Sequence, residues 1–399
     1  MRDLTFTDST LSQLSYQLHD NSFQTIENPP LLPKMASLRS SFRTAKPVAK
    51  QFVRANSSIS TPPTSPFAPR HFLSAADVTP DEFATLVRNA FIFKQAIKSG
   101  SIPASLQGTL AGKTVSLTFS KRSTRTRVST EAAVAYLGGH PMFLGREDIQ
   151  LGVNESLYDT SLVISSMVTA MVARVGPHSD VADLAKHSAV PVINALSDDF
   201  HPLQSIANML TIHEHFNTGS LSDQKGLGVE GLKMAWVGDA NNVLFDIAIA
   251  CQKMGIDLAV ATPKGFEIPE RMEALIRAQG KDAGTSAKLT TTNIPEEAVK
   301  GANMIVTDTW VSMGQEAEKA QRIRQFAGFQ VTSDLAKRGG AAENWKFMHC
   351  LPRKPEEVSD EVFYNPQRSL AFQEAENRVW GMVSVLDAFV VKTGKIQAA

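Results

Sequence analysis

Short apolar segments alternate with longer segments of helical periodicity along most of the chain, and this alternation constrains its fold more than any other feature. In the first half, strands are predicted at 114–119, 141–144, 170–175 and 190–194, and helices at 81–99, 123–137, 156–167, 179–187 and 202–216. In the second half, strands are predicted at 231–238, 258–261, 304–307 and 347–349, and helices at 243–254, 268–279 and from 374 onward. Helices that alternate with short buried strands predict an α/β fold with parallel sheets.

A basic, hydroxyl-rich turn with the sequence F-S-K-R-S-T-R-T-R, residues 119–127, joins the first strand to the next helix. A helix N-terminus offers free backbone N–H groups and a positive dipole end, which suit a phosphate or carboxylate. Arg125 adds a planar fork for bidentate contact with an anion. The hydroxyl donors are Ser123, Thr124 and Thr126. The alternative is a serine cap on a helix with a basic solvated face, but this much charge exceeds what a cap requires.

Further polar residues follow other predicted strands. Arg174 closes the strand at 170–175, and His201 and Gln204 lie in H-P-L-Q after the strand at 190–194. Taken alone, Arg174 fits a surface charge and His201 a structural histidine. Because ligands of parallel α/β sheets bind at the carboxyl ends of the strands, their convergence there makes them candidate ligand-binding residues.

The second half has its own polar strand ends. The G-D-A-N-N turn containing Asn242 resembles a dinucleotide-binding turn but lacks GxGxxG, so it is weak evidence for a nucleotide. Asp308 lies at the base of a loop with the character of a lid. Cys350 precedes a proline-fixed turn, where a buried apolar role and a functional role are equally plausible. Arg378, predicted in the first turn of the final helix, is unfavourable there unless an anion binds.

Composition excludes several classes of protein. The 399 residues contain 40 Lys+Arg and 40 Asp+Glu, so no global field favours nucleic acid or a membrane surface. No apolar run approaches the roughly 20 residues of a membrane span. The two cysteines, Cys251 and Cys350, indicate a reducing compartment. The nine histidines form no HxxxH or HExxH pattern, so no metal site is predicted.

The N-terminal region has the composition of a targeting segment. Residues 35–69 carry basic and hydroxyl side chains but no Asp or Glu, and end in the Pro-rich segment 61–69. This composition predicts a mitochondrial transit peptide and linker, hence a location in the mitochondrial matrix; a disordered basic tail is the alternative. Residues 1–34 contain four acidic residues and fit a transit peptide poorly. We therefore predict that Met35 is the true start and that 1–34 are a non-native or disordered extension.

Seven motifs occur in one order along residues 72–391. They are S-T-R-T-R (123–127), L-G-V-N-E-S (151–156), H-P-L-Q (201–204), G-D-A-N-N (238–242), D-T-W-V-S-M-G (308–314), H-C-L-P-R (349–353) and E-A-E-N-R (374–378). In this order the chain resembles the transcarbamoylases, and within them those that act on ornithine. Those that act on aspartate have H-P-L-P-R in place of H-C-L-P-R and lack the S-M-G loop.

The resemblance implies two doubly wound parallel-sheet domains joined by helices, with a C-terminal helix packing back on the first domain. It implies a carbamoyl-phosphate-binding domain at 70–217, an ornithine-binding domain at 218–372 and the returning helix at 373–399. A cis Leu351–Pro352 bond and a homotrimer are also implied, but no cofactor. The implied carbamoyl-phosphate residues are Ser123, Thr124, Arg125, Thr126, Gln150 (reaching into a neighbouring subunit's site), Arg174, His201, Gln204, Cys350, Leu351 and Arg378. The implied ornithine residues are Asn242, Asp308, Ser312 and Met313.

The chemistry predicted on this basis is attack of the ornithine δ-amine on the carbamoyl carbon, giving citrulline and phosphate for arginine biosynthesis. Arg125, Arg174 and His201 are predicted to stabilise charge, and Cys350, as a thiolate, to accept the amine's proton, with phosphate as the alternative acceptor. Three alternative functions remain: a transcarbamoylase for another amine, a non-catalytic relative kept for binding, and a nucleotide-dependent enzyme.

Overall fold

The computed structural model describes residues 69–147, 155–217, 226–311 and 319–399. The predicted leader, Gln150, Ser312 and Met313 lie outside these ranges. Among the described helices, none combines the length and apolar character needed to cross a bilayer.

The first half of the described chain forms a parallel sheet flanked by helices. Its strands are β1 (Thr114–Phe119), β2 (His140–Gly145), β3 (Ala170–Arg174) and β4 (Val192–Leu196), in the order β2-β1-β3-β4. Its helices are α1 (Pro80–Lys98), α2 (Arg125–Tyr136), α3 (Leu157–Met167), α4 (His178–His187) and α5 (Pro202–Phe216), preceded by a 3-10 helix at Ala75–Asp77. Every strand pair is parallel, as the alternation of segments predicts.

A second parallel sheet follows. Its strands are β5 (Lys233–Val237), β6 (Asp257–Ala261), β7 (Leu289–Thr292), β8 (Met304–Val306) and β9 (Lys346–Met348), in the order β7-β6-β5-β8-β9. Its helices are α6 (Asn242–Met254), α7 (Glu270–Ala283), α8 (Pro295–Val299), α9 (Lys319–Gln325), α10 (Ser333–Arg338) and α11 (Asp360–Phe363). The chain ends with α12 (Ala371–Leu386) and a π-helical turn at Asp387–Val391.

Both sheets are covered on both faces, which explains why their strands are apolar throughout. Along β3, Ala170 and Val172 join one buried cluster, whereas Met171 and Ala173 join another. Successive strand residues point to opposite faces, so one continuous apolar strand supplies two cores. The strands of the second sheet divide in the same way between two clusters. The predicted doubly wound architecture is confirmed.

The C-terminal helix α12 packs against α1, α2 and α5 and so returns to the first sheet, as predicted. The expected start of this helix is wrong, however. It begins at Ala371, so Arg378 lies in its interior and not in its first turn. The anion preference of a helix N-terminus therefore does not apply to Arg378, and its burial needs another explanation.

The predicted boundaries of other elements differ from the observed ones where packing decides them. Strand β4 begins at Val192, after Pro191, and ends at Leu196. Strand β7 was not predicted, because Leu-Thr-Thr-Thr is short and polar, and it lies at the edge of its sheet with two exposed threonines. Neither difference changes which strands precede the candidate residues, since His201 still follows β4.

Each sheet has one point at which the strand order reverses. In the first sheet it falls between β1 and β3, where Phe119 and Arg174 are register partners. In the second it falls between β5 and β8, whose carboxyl ends lead to Asn241 and Asp308. Ligands of open α/β sheets bind at such points, because the connections diverge there and leave a crevice.

Candidate active site

The turn after β1 presents Thr126 and Arg125 at the start of α2. Thr126 is buried, and its backbone N–H donates to Ser123 Oγ at 3.3 Å. Thr124, the residue preceding the helix, is exposed and makes no side-chain capping bond. The first turn of α2 carries no acidic residue, so its positive end is not neutralised by its own sequence. The predicted anion-binding character of this turn therefore has a structural basis.

Arg378 brings three predicted site residues together from distant parts of the chain. Its Nη1 donates to Gln204 Oε1 at 2.7 Å and lies 3.4 Å from His201 Nε2. Its Nη2 donates to Thr126 Oγ1 at 3.1 Å. Helices α2, α5 and α12 thus meet around one buried guanidinium, which accounts for an arginine inside a helix.

Three guanidinium groups converge without enough buried negative charge to balance them. Burial first, together with repulsion by Arg125, lowers the pKa of Arg174 to about 10 and that of Arg378 to about 9. The Nε atoms of Arg174 and Arg378 are buried and have no hydrogen-bond partner among the described residues. Buried cations are costly unless paired, so this arrangement indicates a site that receives an anion.

His201 stands beside these cations as a neutral imidazole. Burial, followed by Arg378, Arg174 and Arg125, lowers its pKa well below the usual value. Because Arg378 can only donate, the facing Nε2 of His201 is the acceptor, and the proton lies on Nδ1. His201 Nδ1 is buried and has no partner within the part of the chain that the structure describes. It is thus a preorganised neutral donor beside the cationic cluster.

A buried carboxylate on α12, Glu374, was not predicted as part of the site. It accepts hydrogen bonds from Gln204 Nε2 (2.8 Å), Asn208 Nδ2 (3.1 Å) and the backbone N–H of His349 (2.9 Å). These bonds fix the amide of Gln204 with its oxygen toward Arg378. Burial raises the pKa of Glu374 to about 8, although its donors oppose this. The only sequence signal was its place in E-A-E-N-R, which the helical pattern explains as a solvated first turn.

At the carboxyl end of β8, Asp308 is buried and accepts two hydrogen bonds. Asn241 Nδ2 donates to its Oδ2 at 2.8 Å, and the thiol of Cys350 donates to its Oδ1 at 3.0 Å. Asn242, the predicted ornithine residue next to Asn241, donates from Nδ2 to the carbonyl oxygen of Ser197 at 2.5 Å. The second sheet therefore presents a carboxylate close to a strand end of the first.

The predicted thiolate at Cys350 is wrong. Burial, then the charges of Asp308 and Glu374, raise the pKa of this thiol well above its usual value, and Arg125 opposes the shift only weakly. The thiol acts as a hydrogen-bond donor to Asp308 instead. Arginines near a thiol lower its pKa, whereas nearby carboxylates raise it. The two carboxylates lie outside the H-C-L-P-R motif, so the motif alone does not show them.

The turn at Leu351 joins the two halves of the site. The Leu351–Pro352 bond is cis, as predicted, and Leu351 has a left-handed backbone with φ 61°. Arg125 Nη2 donates to the Leu351 carbonyl oxygen, and the Leu351 N–H donates to His349 Nδ1 at 2.9 Å. Glu357, another unpredicted buried carboxylate, pairs with His349 Nε2 and also accepts from the Trp310 N–H. The turn is thus held at a fixed distance from Arg125.

The ligand atoms of Asp308, His349 and Cys350 lie within 4.8 Å of one another, close enough for one metal ion. Both nitrogens of His349 are already bonded, to the Leu351 N–H and to Glu357. The thiol of Cys350 is bonded to Asp308. Because these groups already have protein partners, we assign them no metal.

The structure brings most of the predicted residues to one crevice. Direct contacts connect Thr126, His201, Gln204 and Arg378, and others connect Arg125 to Leu351 and Asp308 to Cys350. Arg174 joins them through its charge. Thr124 remains exposed at the edge of this group.

Known proteins share both the sequence and the fold. The chain matches the carbamoyl-P binding domain of aspartate/ornithine carbamoyltransferases over residues 70–214, and the Asp/Orn binding domain of the same family over residues 230–389. A relative from Emericella nidulans, named "Ornithine carbamoyltransferase, mitochondrial", is 67% identical over 363 residues, which cover 91% of this chain and 100% of the relative.

Two solved structures extend the comparison. The crystal structure of a mitochondrial ornithine carbamoyltransferase from Coccidioides immitis has 64% identity and a TM-score of 0.76, covering 83% of this chain and 100% of the other. The ornithine carbamoyltransferase from Pyrococcus furiosus has 41% identity and a TM-score of 0.73, covering 83% and 99%. With both domain models matched in order and the crevice formed by their motifs, the chain belongs to the aspartate/ornithine carbamoyltransferase family.

Proposed function

We propose that the chain transfers the carbamoyl group of carbamoyl phosphate to the δ-amine of L-ornithine, giving L-citrulline and phosphate in arginine biosynthesis. One observation carries the proposal: the buried guanidiniums of Arg174 and Arg378, the half-buried one of Arg125 and a neutral histidine at the switch point of one sheet adjoin a buried carboxylate at the switch point of the other. The first group suits a dianionic donor, and the second suits a cationic amino acid. The relatives named as mitochondrial ornithine carbamoyltransferases support both the reaction and a location in the mitochondrial matrix.

Carbamoyl phosphate binds among residues of the first sheet, the Leu351 turn and α12. Arg125, Arg174 and Arg378 offset the charge of the phosphate, together with the N–H groups at the start of α2. The donor-binding residues in this proposal are Ser123, Thr124, Arg125, Thr126, Gln150, Arg174, His201, Gln204, Cys350, Leu351 and Arg378. Gln204, held by Glu374, supports the proposal because its amide is already oriented.

The carbamoyl oxygen gains negative charge as the amine attacks. His201 Nδ1–H and the Arg174 guanidinium are donors without competing partners at their buried nitrogens, and the Thr126 hydroxyl, an acceptor from Arg378, retains its own proton. Preorganised donors of this kind each contribute typically about 3 kcal/mol to transition-state stabilisation. The C–O bond to phosphate then breaks, and the dianion leaves among the three guanidiniums.

L-Ornithine binds on the side of the second sheet, where Asp308 attracts its cationic end. The acceptor-binding residues in this proposal are Asn242, Asp308, Ser312 and Met313. The δ-ammonium, with a reference pKa of about 10.4, loses one proton to solvent before attack, and the attacking nitrogen loses a second proton as the C–O bond to phosphate breaks. Because the Cys350 thiol keeps its proton, we assign the final proton acceptor to the departing phosphate.

Replacing Cys350 with alanine is expected to lower kcat by about fivefold, the loss of one hydrogen bond to Asp308. The midpoint of the rise of kcat/KM for ornithine with pH is expected to stay unchanged, because the substrate amine, not the thiol, titrates. Steady-state rates from pH 6 to 10 measure both quantities. Cys251→Ala, a core thiol on α6, is the control. A midpoint displaced by one pH unit or more in Cys350→Ala alone would make Cys350 the base.

The acceptor is tested by offering ornithine, putrescine, aspartate and acetylornithine in parallel, with carbamoyl phosphate, to chain lacking residues 1–60. We expect carbamoyl transfer to ornithine alone. Transfer to another amine would retain the carbamoyl-phosphate half of the site and overturn the assignment of Asn242 and Asp308. Inactivity of folded protein with all four acceptors would overturn the proposed reaction.

A homotrimer with active sites shared between subunits is part of the proposal. Helix α3 buries Thr160, Ser161 and Ser165 but exposes apolar side chains, the reverse of a helix that meets solvent. The exposed apolar residues on this helix are Tyr158, Leu162, Val163 and Met167. An inverted helix of this kind supports contact with a second copy.

We expect a mass of three chains by light scattering. If Gln150 completes a neighbour's site, mixing inactive Gln150→Ala with inactive Arg125→Gln chains under exchange conditions restores part of the activity. Each mixed trimer then holds a site with both residues intact. A monomeric mass, or no recovery after proven exchange, contradicts the shared site.

For the chain itself we propose a donor domain at 70–217, an acceptor domain at 218–372 and the returning helix at 373–399.

A further inference from the structure

Asp246 is a fully buried carboxylate on α6, outside the residues assigned to either substrate. Its Oδ1 accepts from Ser74 Oγ at 3.0 Å and from the Ala75 N–H at 2.8 Å. Its Oδ2 accepts from the backbone N–H of His201 at 2.6 Å. Asp246 lies on α6, a helix that flanks the second sheet. Its side chain therefore binds two separate segments, at Ser74–Ala75 and at His201, that pack on the first sheet.

These contacts serve the N-termini of two helical segments. His201 precedes α5, whose first turn has no acidic residue and whose N-terminus has no side-chain capping bond of its own. Ser74 precedes the 3-10 helix at Ala75–Asp77. A negative charge near a helix N-terminus is favourable, so Asp246 supplies from another helix what α5 lacks in sequence.

All three polar groups that bond to Asp246 are donors, which favours the ionised form. Burial opposes this and raises the pKa of Asp246 to about 7. An asparagine in its place would turn an NH₂ group toward an N–H donor, because an amide has only one acceptor oxygen. The site is therefore specific for a carboxylate, and measurements at pH 8 examine it in its ionised form.

The bond to His201 matters because this residue does not have helical geometry. Its backbone dihedrals are φ −140° and ψ 65°. Its carbonyl oxygen accepts from the Gln204 N–H at 2.9 Å and the Ser205 N–H at 3.3 Å, so α5 fixes that side of the residue, whereas its own N–H takes no part in the ladder of α5. Its imidazole lies in the cationic cluster with Nδ1 unpartnered. The peptide from which this imidazole projects is held at the Phe200 carbonyl oxygen by the Ser197 N–H at 2.9 Å, and at the His201 N–H by Asp246.

We propose that Asp246 is a positioning residue for carbamoyl transfer: it fixes the His201 backbone so that the Nδ1–H donor is placed for the oxygen that gains charge. The inference rests on the proposed function. A misplacement of about 1 Å at a catalytic group can cost roughly 100-fold in rate. Asp246 thereby also connects the acceptor-side helix α6 to a donor-side catalytic group.

The test compares kcat, both KM values and thermal stability of the full chain at pH 8. Asp246→Asn is expected to lower kcat by about 10- to 100-fold, with KM for ornithine within about twofold, because His201 acts in the transition state. Asp246→Ser, small and neutral, is measured alongside in case the amide prevents folding. Ser74→Ala is the matched control: it removes a donor from the other oxygen, and kcat is expected to stay within about twofold.

A double-mutant cycle separates positioning from a purely structural role. In a His201→Ala background, Asp246→Asn or Asp246→Ser is expected to cause no further fall in kcat, because both changes disable the same donor. Wild-type kcat in a folded Asp246 variant, or additive losses in the cycle, would overturn the inference. The wild-type chain is assayed alongside the variants. If the wild-type chain were inactive with ornithine, the proposed function itself would be overturned, and this outcome is distinct from a failure of the Asp246 inference.

Discussion

Arg125→Gln is expected to raise KM for carbamoyl phosphate by roughly 30-fold to several thousandfold, the effect of losing about 2–5 kcal/mol from a direct charge contact with the phosphate. Glutamine keeps the helix propensity and the start of the aliphatic stem, but it is shorter and loses the charge. Arg125 also donates to the Leu351 carbonyl oxygen, so kcat is expected to fall as well. Steady-state kinetics with carbamoyl phosphate varied at saturating ornithine measure both effects.

The same motif supplies the matched control. Arg127, two residues further on, is exposed, pairs with Glu131 at 2.9 Å and stacks over the ring of Phe143. Arg127→Gln is expected to leave KM for carbamoyl phosphate within about twofold, because a surface ion pair contributes little. Equal losses in the two variants would show that the basic turn acts through its overall charge, and the specific role of Arg125 would be refuted.

Asp308→Asn is expected to raise KM for ornithine by roughly 30-fold to several thousandfold, the same factor as for Arg125→Gln with carbamoyl phosphate. KM for carbamoyl phosphate is expected to change little. The carboxylate is buried and accepts from Asn241 and Cys350, so its charge faces the acceptor side of the crevice. Asparagine preserves the shape but removes the charge that attracts a cationic substrate, which costs about 2–5 kcal/mol.

Asp257 is the control for this change, since it lies at the amino end of β6, on the opposite edge of the same sheet. It binds the Lys288 N–H at 2.8 Å. Asp257→Asn is expected to affect stability more than either KM. If Asp308→Asn weakened both substrates equally, Asp308 would have a general structural role, and the acceptor would have to bind elsewhere.

Several features of the site could be predicted because their signals are local. The strand, basic turn and helix around Arg125 lie within 23 consecutive residues, from Thr114 to Tyr136, and their periodicities specify them without the rest of the chain. Arg174 was predicted near the end of a buried strand at 170–175, and the observed strand ends at Arg174 itself. The alternation of segments required parallel sheets, and parallel sheets bring strand ends to one edge.

Other features depend on residues far apart in sequence and were missed. Glu374 reaches Gln204 across 170 positions, and Asp246 reaches His201 across 45. Cys350 was predicted as a thiolate from its neighbouring arginines, whereas Asp308, 42 positions away, makes it a donor. The inverted burial of α3 was equally invisible, because periodicity shows that a helix has two faces but not what covers them.

The sequence by itself determined the family, the two parallel sheets and the strand ends at which the polar residues lie. These follow from periodicity and from motif order, both of which are properties of short stretches of chain. The tertiary structure alone decided protonation and orientation: the neutral His201, the protonated Cys350, and the carboxylates of Glu374 and Asp246 behind them. The physical reason is that burial and charge–charge interactions depend on distance in space, and the fold sets those distances.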